Sequence, residues 1–222
     1  MTRPSAPAQG RRWLHPAGAS EGRLEAVTAL LDAAERLLVE QGYGAVTTRK
    51  VAERAGVNHG LVHYYFGSME EVMVQVLERF TARLIERQRV MYSSDRPFLE
   101  KWRTAWGFQE EDLASGYSKI WMELQAVSWN RAELRARVQQ VNEEWRQVLT
   151  EAFAAPLREY GFDALSLEAT VSLVMTLAQG YAVERLSGVT KGHTALLSEI
   201  DAWMESRENR AKGSRSKKGR AK

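Results

Sequence analysis

The sequence predicts an all-α protein of about nine helices, with a small N-terminal unit followed by a larger helical domain. Apolar residues recur three and four positions apart along nearly the whole chain, which is the spacing of one face of an α-helix. No segment alternates apolar and polar residues between hairpin turns, so we expect no β-sheet. Glycines and a few prolines separate the periodic segments, where they mark helix ends.

The first four helices are marked by capping residues. The first helix runs to Gly42, and the second lies between an N-cap at Thr47 and a stop at Gly56. Asn58 can cap a third helix, and Ser68 opens a longer fourth one. The first three helices therefore form one unit, and the fourth leads out of it.

The second half of the chain predicts five further helices. They cover roughly residues 97–112, 116–129, 131–160, 166–187 and 194–206. Pro156 should kink or divide the third of these, because it removes a backbone hydrogen bond and crowds the preceding turn.

These elements set the domain boundaries. Residues 21–67 form the three-helix domain, and residues 68–206 form the larger helical domain. Residues 1–20 and 207–222 are poor in apolar residues and rich in Arg and Lys. We expect both ends to be flexible basic arms.

Composition excludes several classes of protein. The chain has 222 residues, no cysteine and a formal net charge of +3. Disulfides and thiolate metal sites are therefore excluded, and no apolar run reaches the roughly 18 residues of a membrane span. We expect a cytoplasmic protein with no cofactor, no metal and no membrane partner.

The positive charge is concentrated at the two ends of the chain. Residues 1–20 carry +3 and residues 205–222 carry +6, which leaves about −6 for the body between them. The net charge alone therefore says little about nucleic-acid binding.

Residues 45–66 have the pattern of a helix-turn-helix, in which a short turn containing glycine joins two helices. Ala52 is small where the two helices cross, and Val57 fills the angle between them. On the third helix, Val62 and Tyr65 are three positions apart and should face inward. Phe66 should close the end of that helix. The residues expected to face outward are Asn58, His59, Gly60, Leu61, His63 and Tyr64.

The outward positions suit a surface lined with hydrogen-bond donors and acceptors, such as the major groove of DNA. Gly60 costs about 1 kcal/mol in a helix interior relative to Ala, but it permits close approach to the duplex. The N-terminal end of the second helix should contact the DNA backbone as well. The expected DNA-binding residues are Thr47, Thr48, Arg49, Asn58, His59, Gly60, Leu61, His63 and Tyr64.

The run GYGAVTTRKVAERAGVNHGLVHYYFGSMEE, residues 42–71, resembles the DNA-binding domain of the TetR family of transcriptional regulators. It departs from the family pattern at His63, where Tyr is usual, and at Met69, where Lys is usual. Both positions commonly hold DNA phosphates in that family, so the resemblance leaves open whether His63 and Met69 make these two contacts. Arg11, Arg12 and Trp13 could reach a neighbouring minor groove instead.

The resemblance implies a second domain that encloses a small-molecule pocket. Effector binding would then favour a conformer whose two DNA-binding domains no longer match the operator, with the fourth helix as the lever. We expect an apolar, aromatic or cationic effector. The candidate effector-binding residues are Trp102, Trp106, Tyr117, Trp121, Met122 and Tyr181.

The resemblance also implies a homodimer. The segment 165–187 is apolar almost all round, so it should face both its own domain and a partner, and the last helix offers a second apolar face. A symmetric dimer predicts a palindromic double-stranded DNA operator. The expected interface residues are Val171, Val174, Met175, Ala178, Ala182, Leu197, Ile200 and Met204.

We therefore expect a ligand-responsive transcriptional regulator, a repressor in the first instance, although an activator would use the same DNA-binding domain. Two alternatives are a non-specific nucleic-acid binder driven by the basic tails and an all-α enzyme. No phosphate loop, nucleophile elbow or zinc-protease motif supports an enzyme, and the acids at residues 110–112 are expected on a solvated face. His59 and His63 have the spacing of two metal ligands, but no third ligand lies nearby in sequence.

Overall fold

The computed structural model describes residues 21–160 and 165–220, and within these ranges it contains nine α-helices and no strand. The helices are α1 (Glu21–Gln41), α2 (Thr48–Ala55), α3 (Gly60–Phe66), α4 (Met69–Ser93), α5 (Phe98–Ala114), α6 (Tyr117–Ser128), α7 (Ala132–Glu159), α8 (Leu167–Leu186) and α9 (His193–Arg220). A single 3₁₀ turn, Tyr43–Ala45, lies between α1 and α2. The all-α prediction is confirmed.

The caps expected from the sequence define the N-terminal helices. The Thr47 hydroxyl accepts the Lys50 N–H at 3.3 Å, and the Ser68 hydroxyl accepts the Glu71 N–H at 3.1 Å. Gly56 ends α2 with φ at +70°, a conformation that favours glycine. These local bonds fix the short turns on either side of α3.

The N-terminal helices and the larger domain share one apolar core. Leu30, Val51 and Val62 are fully buried in the small unit, and the same cluster continues along α4 to Ile120 of α6 and Val141 of α7. A second cluster joins α5, α7 and the middle of α9. The small unit is therefore anchored to the larger domain by packing as well as by the α4 connection.

Two expectations about helix ends differ from the structure. Pro156 does not divide α7, which is continuous to Glu159, because the proline lies in its last turn and interrupts little of the helix that precedes it. Helix α9 continues to Arg220, through most of the segment expected as a flexible tail. Glu208 is buried there and pairs with Lys212 one turn further on, at 3.1 Å. The arm at residues 1–20 lies outside the described residues.

Candidate nucleic-acid interface and effector cavity

The reading head, which we define as residues 21–67, places α3 against α2 and α4. Ala52 is almost wholly buried where the helices cross, and the N–H of Val57 donates to its carbonyl at 3.0 Å to close the turn. Val62 and Phe66 hold the inner face of α3 in the core, and Tyr65 is half-buried. One face of α3 is thus fixed, and the opposite face is left to solvent.

The expected DNA-contacting residues lie on this open side of the reading head. Thr48 and Leu61 are half-buried, and Tyr64 is 74% exposed. The remaining expected residues are all exposed: Thr47, Arg49, Asn58, His59, Gly60 and His63. No element of the described chain covers them.

Asn58 and Gly60 together form the start of α3. The Asn58 Oδ1 atom accepts the Gly60 N–H at 2.8 Å, which leaves the Asn58 amide NH₂ free to donate to another group. Gly60 is the first residue of α3 and does not lie in the helix interior, so the interior penalty expected from the sequence does not apply in full. A Cβ at this position would lie 3.3 Å from Asn58 Oδ1. The glycine therefore leaves room for the bond between its own N–H and Asn58 Oδ1.

His63 is oriented by the end of its own helix. Its Nδ1 lies 3.1 Å from the Gly67 carbonyl oxygen, and because a carbonyl only accepts, Nδ1 carries the proton. The Nε2 atom remains for an outside partner. The described residues contain no group of three His, Cys, Asp or Glu side chains that could hold a metal ion.

The basic residues of α2 differ in how far they are engaged by the protein. Arg54 makes a two-pronged ion pair with Glu40 at 3.0 and 2.8 Å, and Lys50 Nζ donates to Gln41 and to the Ala45 carbonyl. Arg49 is exposed and has no ion pair with any residue in the described ranges. Among these three, Arg49 is the cation that is free to meet a phosphate.

The larger domain encloses a cavity of about 140 Å³ between α4, α5, α6, α7 and α8. Its wall is mainly aromatic and apolar, with a polar minority. The lining residues are Gln88, Tyr92, Trp102, Ala105, Trp106, Gln109, Asp112, Tyr117, Ser118, Trp121, Met122, Asn142, Trp145, Leu149, Val174, Met175, Ala178, Gln179 and Ala182. Such a wall is typical of a small-molecule site.

Five of the six expected effector residues lie on this wall, and Tyr181 lies behind it. The Tyr181 ring packs edge-on against Trp106 at 5.3 Å between centroids. Its hydroxyl donates a hydrogen bond to Glu110 and accepts one from Arg185. The sequence missed Trp145 and Asn142 of α7, since nothing distinguishes their face of that long helix.

Asp112 corrects the expectation that residues 110–112 form a solvated face. Its side chain lines the cavity and is buried, and Arg87 Nη2 donates to its Oδ1 at 2.6 Å. Burial raises the pKa of Asp112, while Arg87 acts in the opposite direction and lowers it. Glu111, the second carboxylate on Arg87, is exposed.

Tyr117 links the cavity wall to the core. Its hydroxyl lies 3.1 Å from Thr81 Oγ1 and accepts the Trp145 Nε1–H at 3.4 Å. Burial raises the pKa of Tyr117 to about 12, against the opposing effect of these hydrogen bonds. The phenol is therefore a neutral, hydrogen-bonded part of the wall at neutral pH.

Helix α6 touches both the cavity and the reading head. Tyr117, Trp121 and Met122 face the cavity. From the same helix, Glu123 Oε2 accepts the Tyr43 N–H at 2.5 Å, in the turn that leads to α2. A Cβ at Gly42 would lie 3.0 Å from Glu123 Oε1, which shows how closely α6 approaches this turn.

The expected interface residues of α8 and α9 do not lie on the solvent-exposed faces of these helices. Val171, Ala182 and Met204 are buried by their own chain, so a partner could not reach them. Val174, Met175 and Ala178 line the cavity, and Leu197 and Ile200 are half-buried. The large exposed apolar residues of α8, of α9 and of the segment between them, which we name the partner face, are Leu173, Val183, Leu186, Val189, Leu196 and Trp203.

The geometry of α2 and α3 defines the chain as a helix-turn-helix protein. Comparison with known proteins narrows the class, since residues 30–76 match the model of the tetR family of bacterial regulatory proteins. The match runs from the middle of α1 to the first two turns of α4, and so covers most of the reading head.

The matched relatives are similar chiefly in the reading head. An HTH-type transcriptional repressor of Mycobacterium tuberculosis is 40% identical over 63 residues, which is 28% of this chain and 34% of that protein. The regulator BetI of Rhizobium meliloti is 41% identical over 56 residues, 25% of this chain and 28% of its own length. The chain thus spans about a third of the length of these curated relatives.

Solved structures show the same fold over most of the chain. The fatty acid degradation regulator FadR of Bacillus halodurans has a TM-score of 0.65 at 19% identity, covering 81% of this chain and 94% of its own. A transcriptional regulator of Saccharomonospora viridis, solved in complex with choline, has a TM-score of 0.61 at 15% identity, covering 82% and 94%. No helix in the described part of this chain is long and apolar enough to cross a membrane.

Proposed function

We propose that the protein is a ligand-responsive transcriptional repressor that binds a palindromic DNA operator as a homodimer and is released by a small-molecule effector. The reading head supports the DNA contact, because α3 presents an exposed surface of hydrogen-bonding side chains beside the exposed cation of Arg49. In this docking, Asn58, His59 and Leu61 meet base edges, while Nε2 of His63 and the Tyr64 hydroxyl meet phosphates.

The observation that carries the regulatory part of the proposal is the double role of α6. A guest in the cavity contacts Trp121 and Met122, and a shift of α6 would pull on the Tyr43 N–H through Glu123. The turn that positions α2 would then move with the cavity wall. Helix α4 provides a second route, because Gln88 lines the cavity while the N-terminal end of the helix adjoins α3.

The effector must distinguish two conformers of the protein in order to act. A change from a 1:99 to a 99:1 ratio of DNA-incompetent to DNA-competent molecules needs about 5.5 kcal/mol of differential binding. The mainly aromatic wall supplies most of the contact area for that difference, and its few polar groups supply orientation. A choline complex in one structural neighbour and a stearoyl-CoA complex in another support a ligand in this domain.

The partner face supports the homodimer. Leu173, Val183 and Trp203 are each about half exposed, although they are large and apolar. Burial of such a face against a second copy removes apolar area from water, and a two-fold axis would present two copies of α3 on one side of the dimer. The half-sites should then lie about 34 Å apart, or a multiple of that distance.

Selection of bound duplexes from a random pool tests the proposal. We expect an inverted-repeat sequence that binds at least about a thousandfold more tightly than random DNA at physiological salt. A compound screen on that duplex should then find molecules that release it. Equal competition by random DNA would instead indicate a non-specific binder driven by the basic ends.

A further inference from the structure

The charge on the cavity wall is one-sided. Of the described residues that line it, none is Lys, Arg or His, and Asp112 is the one carboxylate. An anionic guest would therefore meet a negative group with no cation on the wall to balance it. A cationic guest would instead be attracted by Asp112 and repelled by no cation on the wall.

Asp112 keeps part of its charge uncompensated although it forms an ion pair. Arg87 donates through Nη2 to Asp112 at 2.6 Å and through Nη1 to Glu111 at 3.0 Å. One guanidinium thus serves two carboxylates, and the three groups together keep one negative charge. Asp112 Oδ2 accepts no hydrogen bond from any group in the described ranges. The raised pKa of Asp112 agrees with this, since burial outweighs the effect of Arg87.

Two neighbouring polar groups on the wall also lack a partner within the described chain. The side-chain oxygen of Gln88 is buried without a hydrogen-bond donor, and the Tyr92 hydroxyl makes no hydrogen bond while burial raises its pKa. Both residues line the cavity together with Asp112. The polar part of the wall is therefore incompletely satisfied by the protein itself.

The rest of the wall offers aromatic faces. Four tryptophans line the cavity, and the rings of Trp102 and Trp106 meet edge-on at 5.7 Å between centroids. The electron-rich face of an indole attracts a cation, and the attraction is strongest where water is excluded. The aromatic faces and the carboxylate in this cavity therefore both favour a positively charged guest.

We infer that the cavity takes a small organic cation with an apolar body, whose positive group is held by Asp112 and the tryptophan rings. The inference rests on the proposed function only in treating this cavity as the effector site. Binding itself can be measured on the full chain without DNA.

The first experiment compares two probes of equal shape and different charge. Phenyltrimethylammonium and tert-butylbenzene have the same heavy-atom skeleton, with nitrogen replaced by carbon. Titration calorimetry and the intrinsic tryptophan fluorescence of the unaltered chain should show at least about tenfold tighter binding of the cation. Equal or tighter binding of tert-butylbenzene would overturn the inference.

The second experiment locates the charge with matched variants. Asp112→Asn and Glu111→Gln each remove one carboxylate from Arg87, but only Asp112 lines the cavity. Asp112→Asn should weaken phenyltrimethylammonium binding about tenfold or more, and Glu111→Gln should change it less than about threefold. Equal losses in the two variants would contradict the assignment to Asp112. If Asp112→Asn fails to fold by circular dichroism, the probe comparison on the unaltered chain decides.

The outcomes separate this inference from the proposed function. Preference for tert-butylbenzene by a protein that still binds a selected operator and is released by a ligand overturns the inference alone. Tight, Asp112-dependent binding of the cation by a protein that shows no sequence preference on DNA overturns the proposed function alone.

Discussion

The reading head and the larger domain present opposite kinds of surface. Helix α3 turns Gly60, His63 and Tyr64 outward, and its position is fixed by the burial of Val62 and Phe66. The cavity is lined by large aromatic side chains that face inward, with Asp112 as its one charged group among the described residues. In the proposed function the two surfaces have separate tasks: the first contacts a DNA duplex, and the second selects a guest by shape and charge.

The largest effect is expected from a substitution on the exposed surface of α3 in the reading head. Gly60→Glu places a carboxylate where α3 should approach DNA, and its Cβ would crowd the capping oxygen of Asn58. We expect specific operator affinity to fall at least about a hundredfold, with helicity unchanged. Fluorescence anisotropy with the selected duplex and far-UV circular dichroism measure the two quantities.

The control for this change adds the same charge elsewhere. Gly107→Glu also alters an exposed glycine in a helix, in α5, where an added Cβ meets nothing within 4 Å. It should leave operator affinity within about threefold of the unaltered chain. Similar losses in both variants would mean that net charge, and not the position of α3, governs binding.

The next largest effect is expected from a substitution on the partner face. Trp203 is 49% exposed on α9, and Trp203→Glu should place a charge in the centre of the dimer contact. We expect the dissociation constant of the dimer to rise at least about a hundredfold, measured by analytical ultracentrifugation. Trp129→Glu is the matched control, because Trp129 is 67% exposed but lies at the end of α6 and outside the partner face. A dimer that survives Trp203→Glu unchanged would place the interface elsewhere.

A smaller effect should sharpen the link between the two regions. Glu123→Ala removes the acceptor of the Tyr43 N–H and leaves the cavity wall intact. Operator affinity should change by less than about tenfold, because the apolar core shared with the larger domain still holds the head when this hydrogen bond is lost. The effector concentration needed for release should rise, while direct effector binding stays the same. Glu86→Ala, at an exposed site on α4, should alter neither.

The smallest expected effect concerns stability. Tyr117→Phe removes hydrogen bonds to Thr81 and Trp145 and should lower the free energy of unfolding by about 1 kcal/mol at pH 7. The folded-state pKa of Tyr117, about 12, lies above its ordinary value of 10.0. Its stabilising contribution is therefore complete below pH 10.0 and is lost as the pH rises towards 12.

Urea unfolding at pH 7 and pH 11 checks the sign of this effect. The unaltered chain loses part of the Tyr117 contribution on going to pH 11, whereas the phenylalanine variant has no such group to titrate. The difference in unfolding free energy between the two proteins should therefore shrink. A difference that grows with pH would contradict the raised pKa.

The reading head was predictable from sequence because its signals are local. Thr47, Gly56 and Ser68 each act on backbone groups within four residues of themselves, and each takes the conformation that the sequence predicts. The boundaries of the longer helices were predictable for the same reason, except the C-terminal end of α9, which continues to Arg220. Gly60 was placed on the correct side of α3 but in the helix interior, because a cap two residues away leaves the first helical position ambiguous.

The faces of the second domain were harder to predict because α8 is apolar almost all round. Leu173 is 56% exposed while its neighbour Val174 lines the cavity, and no periodic signal separates them. The burial of Asp112 was also hidden, since its neighbours Glu110 and Glu111 are acidic too and Arg87 is distant in sequence. Which side of an apolar helix meets a cavity depends on packing between distant segments.

The most direct test of the central claim is a footprint of the full chain on its selected operator. Protection from hydroxyl radicals should show two copies bound at major grooves about 34 Å apart, or a multiple of that distance, on one side of the duplex. Gly60→Glu should remove both footprints together. A single protected site, or protection that spreads along the duplex without a preferred position, would contradict a symmetric pair of α3 helices reading DNA.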